Sequence, residues 1–307
     1  MEQHTNANTF SGSKNTVVTI GTFDGVHIGH QKIVNRLVNH AELDSVILTF
    51  FPHPRMVLQQ DNTIKLLHTI EEKTSVLNLL GLDHLVIHPF TKEFSRLTAQ
   101  QFVEDILVNQ LKAKKIIIGY DHRFGRNRTA DISTLKDFGE QYGFVVEEIT
   151  KQDVDDVAVS STKIRTALQK GQIEKANAFL GQPYMLTGTI VRGKGIGKTL
   201  GYPTANIQIE EAYKLIPKNG VYIVKTNFKG ITYFGMMNIG TNPTVGGKSQ
   251  TIETYFFNMD TDLYGSKMTI QMLKRIRDEK KFTSVDQLIE AMQNDEKISI
   301  NYIETLS

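Results

Sequence analysis

Apolar positions follow two different spacings along the first half of this chain. Short β-prone runs stand at 17–20, 46–51, 85–88, 115–119 and 144–149. Between them, at 29–40, 71–80, 98–110 and 131–142, apolar residues recur every three to four positions, as on one face of a helix. Thr98 and Gln101 form a capping box ahead of Phe102, Ile106 and Leu107, which marks a helix start. Strand–helix alternation predicts a doubly wound parallel sheet with helices on both faces. Ligands of such sheets bind beyond the carboxyl ends of the strands.

The pattern changes in the second half. Residues 161–180 read as helical until Gly181-Gln182-Pro183 breaks them. Short, Gly-rich β-prone runs follow at 185–191, 220–226, 232–239, 251–258 and 267–273, which predicts a small antiparallel barrel. A last helix begins near Thr283 or Ser284 and carries Val285, Leu288, Ile289 and Met292 on one face. The expected organisation is a polar stretch at 1–15, whose order the sequence leaves open, an α/β domain at 16–182 and an all-β domain with a terminal helix at 183–307. There is no fixed-period repeat and no low-complexity tract.

Between the first strand and the first helix lies Gly21-Thr22-Phe23-Asp24-Gly25-Val26-His27-Ile28-Gly29-His30. The two histidines therefore stand at the positive end of a helix, where backbone N–H groups are free and anions bind. Gly21, Gly25 and Gly29 let a ligand approach the backbone. Imidazoles there can donate to phosphate, and preorganised donors stabilise charge that develops on an attacked α-phosphate. If the attacking group is itself an ionised phosphate, no general base is needed. The bland alternative is two polar surface histidines.

Composition narrows the classes. The chain has 307 residues, a net charge of +2 and 22% charged residues, with no basic excess suited to nucleic acid. Cysteine is absent, so disulfides, thiolate metal sites and catalytic thiols are excluded. No apolar run approaches the roughly 18 residues needed to span a membrane, and the start lacks a signal-like apolar stretch. A cytoplasmic location is the expectation.

Two further stretches suggest phosphate chemistry. Ser161 or Thr162 can cap a helix and present a hydroxyl, with Arg165 one turn on; alone, this is usually only a capped helix. Gly193-Lys194-Gly195-Ile196-Gly197-Lys198-Thr199 invites a P-loop reading, but Arg192 occupies the place of the first glycine, and Leu200-Gly201-Tyr202-Pro203 would interrupt the required helix. Its glycines instead suggest a flap whose amides wrap phosphates, against the alternative of an exposed hairpin. Thr204 and Asn206, alternating with Ala205, share one face of an extended segment; such oxygen ligands suit Mg²⁺.

The run I-G-T-F-D-G-V-H-I-G-H resembles the flavin-adenylylating branch of the nucleotidyltransferase superfamily, marked by H-x-G-H after the first strand. Phe50-Phe51-Pro52-His53-Pro54-Arg55, the loop Gly119-Tyr120-Asp121-His122-Arg123-Phe124-Gly125 and Ser160-Ser161-Thr162-Lys163-Ile164-Arg165 resemble further segments of that branch, in the same order. His122 stands where Phe is commoner. His53 is balanced between touching nucleotide and capping the turn between two prolines. Gly201-Tyr202-Pro203-Thr204-Ala205-Asn206 resembles the flavokinase signature G-x-P-T-A-N. The segments 218–222 and 238–244, Arg277-x-Glu279-x-x-Phe282 and Thr251-Ile252-Glu253-Thr254-Tyr255 also match that family, with Tyr255 in place of the usual His.

The resemblance thus covers roughly residues 16–305 and points to bifunctional flavokinases and FAD synthetases. It implies phosphorylation of riboflavin to FMN, releasing ADP, then adenylylation of FMN to FAD, releasing pyrophosphate, with ATP and Mg²⁺ at both sites. Implied roles are Glu253 as base for the ribityl hydroxyl, and His27 and His30 as catalytic donors. Gly21, Phe23, Asp24, Gly29, Asp121, Ser161, Thr162 and Arg165 are implied to bind the adenylyltransferase nucleotide. Gly195, Gly197, Lys198, Thr204 and Asn206 are implied to hold the kinase nucleotide, Thr204 and Asn206 its metal, and Arg277 and Phe282 the flavin. A strand Glu such as Glu253 is otherwise an ordinary solvated face. Two rivals are another H-x-G-H enzyme, such as a class I aminoacyl-tRNA synthetase, and a non-catalytic flavin binder. Against the synthetase, Ser266-Lys267-Met268-Thr269 only echoes its lysine loop, in a strand context.

Overall fold

The computed structural model describes residues 1–60, 63–119, 122–149, 159–193, 197, 200–244 and 247–306, with the backbone alone at 242–244 and 247–249. The chain forms two compact units, Met1–Ser161 and Thr162–Ser307.

The first unit is built on six parallel strands: β1 (Glu2–His4), β2 (Thr16–Ile20), β3 (Asp44–Phe50), β4 (His84–His88), β5 (Ala113–Gly119) and β6 (Val145–Ile149). Their order is β1-β4-β3-β2-β5-β6. The winding reverses at β2, with β3 on one side and β5 on the other, so the carboxyl end of β2 opens onto a topological switch point. Every residue of β2 is buried. Val18, Ile20, Val46, Leu48, Ile116 and Ile118 share one core cluster with Phe102, Ile106, Leu107 and Leu135. The alternate positions Val17, Ile47, Leu85 and Ile117 are equally buried, as both faces of a covered parallel sheet require.

Two local features were not readable in advance. Glu2–His4 extends the sheet edge beside β4, and His4 and Ala7 are buried. The helix at 98–110 starts with the Thr98 capping box over Ala99–Gln101 and then widens into a π-helix, Phe102–Gln110. There the Leu111 N–H reaches back five residues to the Ile106 carbonyl.

The second unit contains a closed antiparallel barrel of order β10-β11-β8-β7-β12-β9. Its strands are β7 (Tyr184–Val191), β8 (Ala205–Gln208), β9 (Gly220–Phe228), β10 (Ile231–Thr244), β11 (Gly247–Phe256) and β12 (Lys267–Arg277). The short β8 was not among the expected strands. The terminal helix is Val285–Glu304, with Ser284 accepting from the Gln287 N–H at its start. The helical stretch at 161–180 is two helices, Ser161–Gln169 and Ile173–Leu180, parted by Gly171 at φ +74°. Ile173, Ala176 and Leu180 are fully buried, and Asn177 donates to the Met272 carbonyl of β12 at 2.8 Å and accepts from the Tyr184 N–H at 2.7 Å. These helices therefore pack with the barrel, and the break between compact units falls at 161/162. No helix among the described residues is long and apolar enough to cross a membrane.

Candidate active sites

In the first unit, β2 ends in a tight loop that enters the helix α1 (Ile28–Val38). His27 caps α1, its Nδ1 accepting from the His30 N–H at 3.3 Å. The two imidazoles stack with centroids 3.7 Å apart and planes 14° apart, and Phe23 lies 4.8 Å from the His30 ring. A side chain at Gly29 would press on the His27 ring. Phe23 and Val26 adopt left-handed backbone at φ 45° and 40°, which is strained, above all for a β-branched residue.

Buried polar bonds hold that strain. Asp24 Oδ1 accepts from the Leu67 and His68 amides at 2.9 and 3.3 Å. The Thr22 carbonyl accepts from Lys73 Nζ at 2.8 Å and Thr49 Oγ1 at 3.2 Å, and the Val26 carbonyl accepts from Gln31 at 2.9 Å. Asp24 is thus part of the scaffold under the loop. Lys73, which the sequence pattern does not single out, is its buried cation: it sits on a helix, Ile70–Leu79, whose face pattern alone gives no sign that a lysine turns inward.

Burial pushes the His27 pKa down to about 4, against a small opposing contribution from its backbone hydrogen bond. His30 lies well below the usual histidine range, mainly through burial, with His27, Lys73 and His68 adding like charge. Its Nδ1 is buried with no hydrogen-bond partner. Burial lowers Lys73 to about 8, partly offset by Asp24. At neutral pH the site therefore presents neutral imidazoles at a helix N-terminus above a buried ammonium.

Ser161 Oγ donates to the Asp24 carbonyl at 2.9 Å, so the hydroxyl motif and the histidine loop meet. Thr162 and Arg165 fall in the second compact unit. Asp121 lies outside the described residues. His53 caps the helix Pro54–Leu58, its Nδ1 accepting from the Arg55 N–H at 3.2 Å. His122 stacks on Phe124 at 6.3 Å.

In the second unit, β8 sits between β7 and β11, and its register sets Asn206 opposite Glu253. Thr204 Oγ1 donates to Glu253 Oε2 at 3.4 Å. On β11, Ile252, Thr254 and Phe256 point inward while Glu253 and Tyr255 take the half-buried outer face. A Cβ at Gly193 would collide with the Asn206 carboxamide, and one at Gly197 with the Tyr202 carbonyl, within 3.3 Å of Thr204 Oγ1. The described part of the glycine-rich flap thus lies against Thr204 and Asn206. Gly195 and Lys198 lie outside the described residues. The flap leads into the strand β8, as expected against a P-loop. Tyr202 donates to Glu296 at 2.8 Å and packs edge-on to Tyr255; burial and Glu296 raise its pKa to about 12.

Arg277 makes a forked pair with buried Asp295 of the terminal helix, at 2.7–3.1 Å, and its guanidinium lies 5.8 Å from the Phe282 ring centre. Glu279 accepts from the Thr241 N–H and the Asn219 amide, both at 3.0 Å. Asn219 also donates to Thr241 Oγ1 at 2.8 Å. Three separated sequence segments meet through Asn219, Thr241 and Glu279; of these only the segments, not their mutual bonds, were readable in advance. The donor set of Thr204, Asn206 and Glu253 is all oxygen when the Asn206 carbonyl faces in, which fits a hard cation such as Mg²⁺.

The family model for FAD synthetase matches residues 10–163 and that for riboflavin kinase matches residues 180–303. The bifunctional riboflavin kinase/FMN adenylyltransferase of Bacillus subtilis is 36% identical over 95% of this chain and 93% of its own length. That of Escherichia coli K12 is 35% identical over 91% of this chain and 90% of its own length. Among solved structures, one described as a macrolide-efflux protein from Streptococcus pneumoniae superposes with a TM-score of 0.86 at 30% identity, covering 97% of this chain and 98% of that one.

Proposed function

The chain belongs to the family of bifunctional riboflavin kinases/FMN adenylyltransferases, and on that premise we propose how its two units divide two ATP-dependent steps of flavin cofactor synthesis. It phosphorylates riboflavin to FMN and adenylylates FMN to FAD. The kinase step is assigned to the barrel. Glu253 orients the ribityl 5′-hydroxyl and takes its proton as the oxygen attacks the γ-phosphorus; the bond to the β-phosphate oxygen breaks and ADP leaves. Gly195, Gly197 and Lys198 are proposed to wrap the triphosphate. Thr204 and Asn206 would hold Mg²⁺, which when bound offsets phosphate charge. Arg277, held by Asp295, presents Phe282 to the flavin ring.

The adenylyl step is assigned to the first unit. A phosphate oxygen of FMN attacks the α-phosphorus of ATP, and pyrophosphate leaves. That oxygen is already ionised, so the protein supplies position and donors, not a base. Neutral His27 and His30 donate to the phosphates at the α1 N-terminus, where Gly21 and Gly29 permit close approach; Phe23 and Asp24 fix the loop. Asp121 and Ser161 are proposed to complete the nucleotide contacts. The partners are small molecules, not nucleic acid or membrane, and the place of action is the cytoplasm, in keeping with the net charge of +2. The observation that carries the adenylyl assignment is the stacked imidazole pair capping α1 at the sheet's switch point.

Isotope transfer tests the scheme. Riboflavin, Mg²⁺ and ATP labelled at either the γ- or the α-phosphate are supplied, and the flavins are separated. FMN is expected to carry only the γ label, and FAD both labels; EDTA is expected to stop both steps. FAD lacking the α label would defeat the proposed adenylyl transfer.

A further inference from the structure

Far along the sheet from the histidine loop, at its outer edge, Glu2, His4 and His84 converge. His4 Nε2 lies 3.1 Å from His84 Nδ1, and Glu2 Oε2 lies 3.4 Å from His84 Nδ1 and 3.9 Å from His4 Nε2. Donor atoms about 2.0–2.1 Å from a tetrahedral ion stand about 3.3 Å from one another. The three observed separations bracket that edge length.

Each of the three groups has a partner on its far side. His4 Nδ1 faces the Thr9 carbonyl at 3.3 Å; a carbonyl only accepts, so the proton sits on Nδ1 and a neutral ring turns the Nε2 lone pair toward His84. His84 Nε2 faces the Asp44 carboxylate at 3.6 Å, and its Nδ1 is turned toward His4 and Glu2. Glu2 Oε1 accepts from Ser11 Oγ at 3.0 Å, leaving Oε2 to the imidazoles. Without an ion, His84 Nδ1–H donates to His4 Nε2 at 3.1 Å; a bound cation would take the place of that proton between the two rings and the carboxylate. Carbonyl and carboxylate support of ligating imidazoles is the usual outer arrangement of a metal site. Phe10 packs 5.1 Å from both rings, shielding the cluster.

We propose that Glu2, His4 and His84 form a binding site for Zn²⁺ or a like borderline transition-metal ion, which pins the N-terminal strand to β4. Two imidazoles and one carboxylate suit such an ion, whereas Mg²⁺ prefers oxygen alone. The site stands apart from both flavin reactions and does not depend on their assignment.

The test is zinc titration of the metal-stripped full chain against a chromophoric chelator, with excess Mg²⁺ present and with hydrogen exchange followed at residues 2–10. The wild type is expected to bind one zinc more than His4→Gln or His84→Gln. Glu2→Gln is expected to weaken that equivalent about tenfold or more. Its side chain is 55% exposed, so this variant keeps the fold if His84→Gln does not. Zinc is expected to slow exchange at 2–10 in the wild type only. Equal zinc stoichiometry and affinity in wild type and Glu2→Gln, or zinc held only by the remaining histidines with exchange at 2–10 unchanged, overturns the proposal.

Discussion

A neutral imidazole and a charged one do different work beside a triphosphate. His27 and His30 are held neutral by burial, so in the free protein they offer N–H groups, not charge. An incoming triphosphate raises the pKa of both, and binding must then take up protons. Calorimetry in buffers of different ionisation enthalpy is expected to show proton uptake on ATP binding at pH 5–6, reduced in His30→Asn; binding without uptake would remove the imidazoles from the phosphates. The same burial sets a stability trend. His27 has a folded pKa near 4 against 6.5 for an exposed histidine, so the unfolded chain binds the proton first. Stability is full above about pH 6.5 and falls toward pH 4. His27→Asn, which keeps a capping side chain, is expected to flatten that fall in denaturant titrations. The H-x-G-H pair was legible because its spacing and glycines are local. Lys73 was not: its inward turn depends on Thr22 and Thr49, which are 51 and 24 residues away. Lys73→Met is expected to slow FAD formation about tenfold or more, within the range seen when preorganised electrostatics are lost, with riboflavin phosphorylation unchanged.

Among elements, the long periodic ones were readable and the short ones were not. The β2-to-β6 strands and the helices between them announce themselves through apolar spacing, and closure of the barrel follows from closely set strands. β8 escaped because it has four residues and follows a proline and a glycine-rich run. β1 escaped because Glu-Gln-His has no apolar alternation; its place is fixed by pairing with β4, 80 residues away in the cluster that joins them. The π-helical widening at 102–110 escaped because nine residues do not separate its period from that of an α-helix. β8 nevertheless carries Asn206 and is entered from Thr204, so its contact with the flap has consequences. Gly193→Val would drive a side chain into the Asn206 carboxamide. The expected outcome is a raised KM for ATP in riboflavin phosphorylation with FMN adenylylation intact, read from separate steady-state assays; an unchanged KM would detach the flap from the nucleotide.

For the whole molecule, the sequence separates an α/β half from a barrel half and sets the join near 183; the riboflavin kinase match begins at 180, while the compact packing units divide at 161/162. A chain break shows in composition at Gly181-Gln182-Pro183, yet packing assigns the preceding helices to the barrel. A cut at 183 removes the buried Ile173, Ala176 and Leu180 from the barrel unit, at about 1.5–3 kcal/mol for each large apolar side chain. A fragment 162–307 is therefore expected to unfold cooperatively and phosphorylate riboflavin, while 183–307 melts at a markedly lower temperature. The central claim is that the two phosphate sites act independently in separate units. Its most direct measurement supplies Glu253→Gln and His30→Asn, each with riboflavin or with FMN, alongside ATP and Mg²⁺, and quantifies both flavin products. Glu253→Gln is expected to lose FMN formation by about 10²–10⁴ while converting supplied FMN to FAD normally. His30→Asn is expected to accumulate FMN at the normal rate and to make FAD about 10²–10³ more slowly. Loss of both reactions in either folded variant, or of neither, would contradict it.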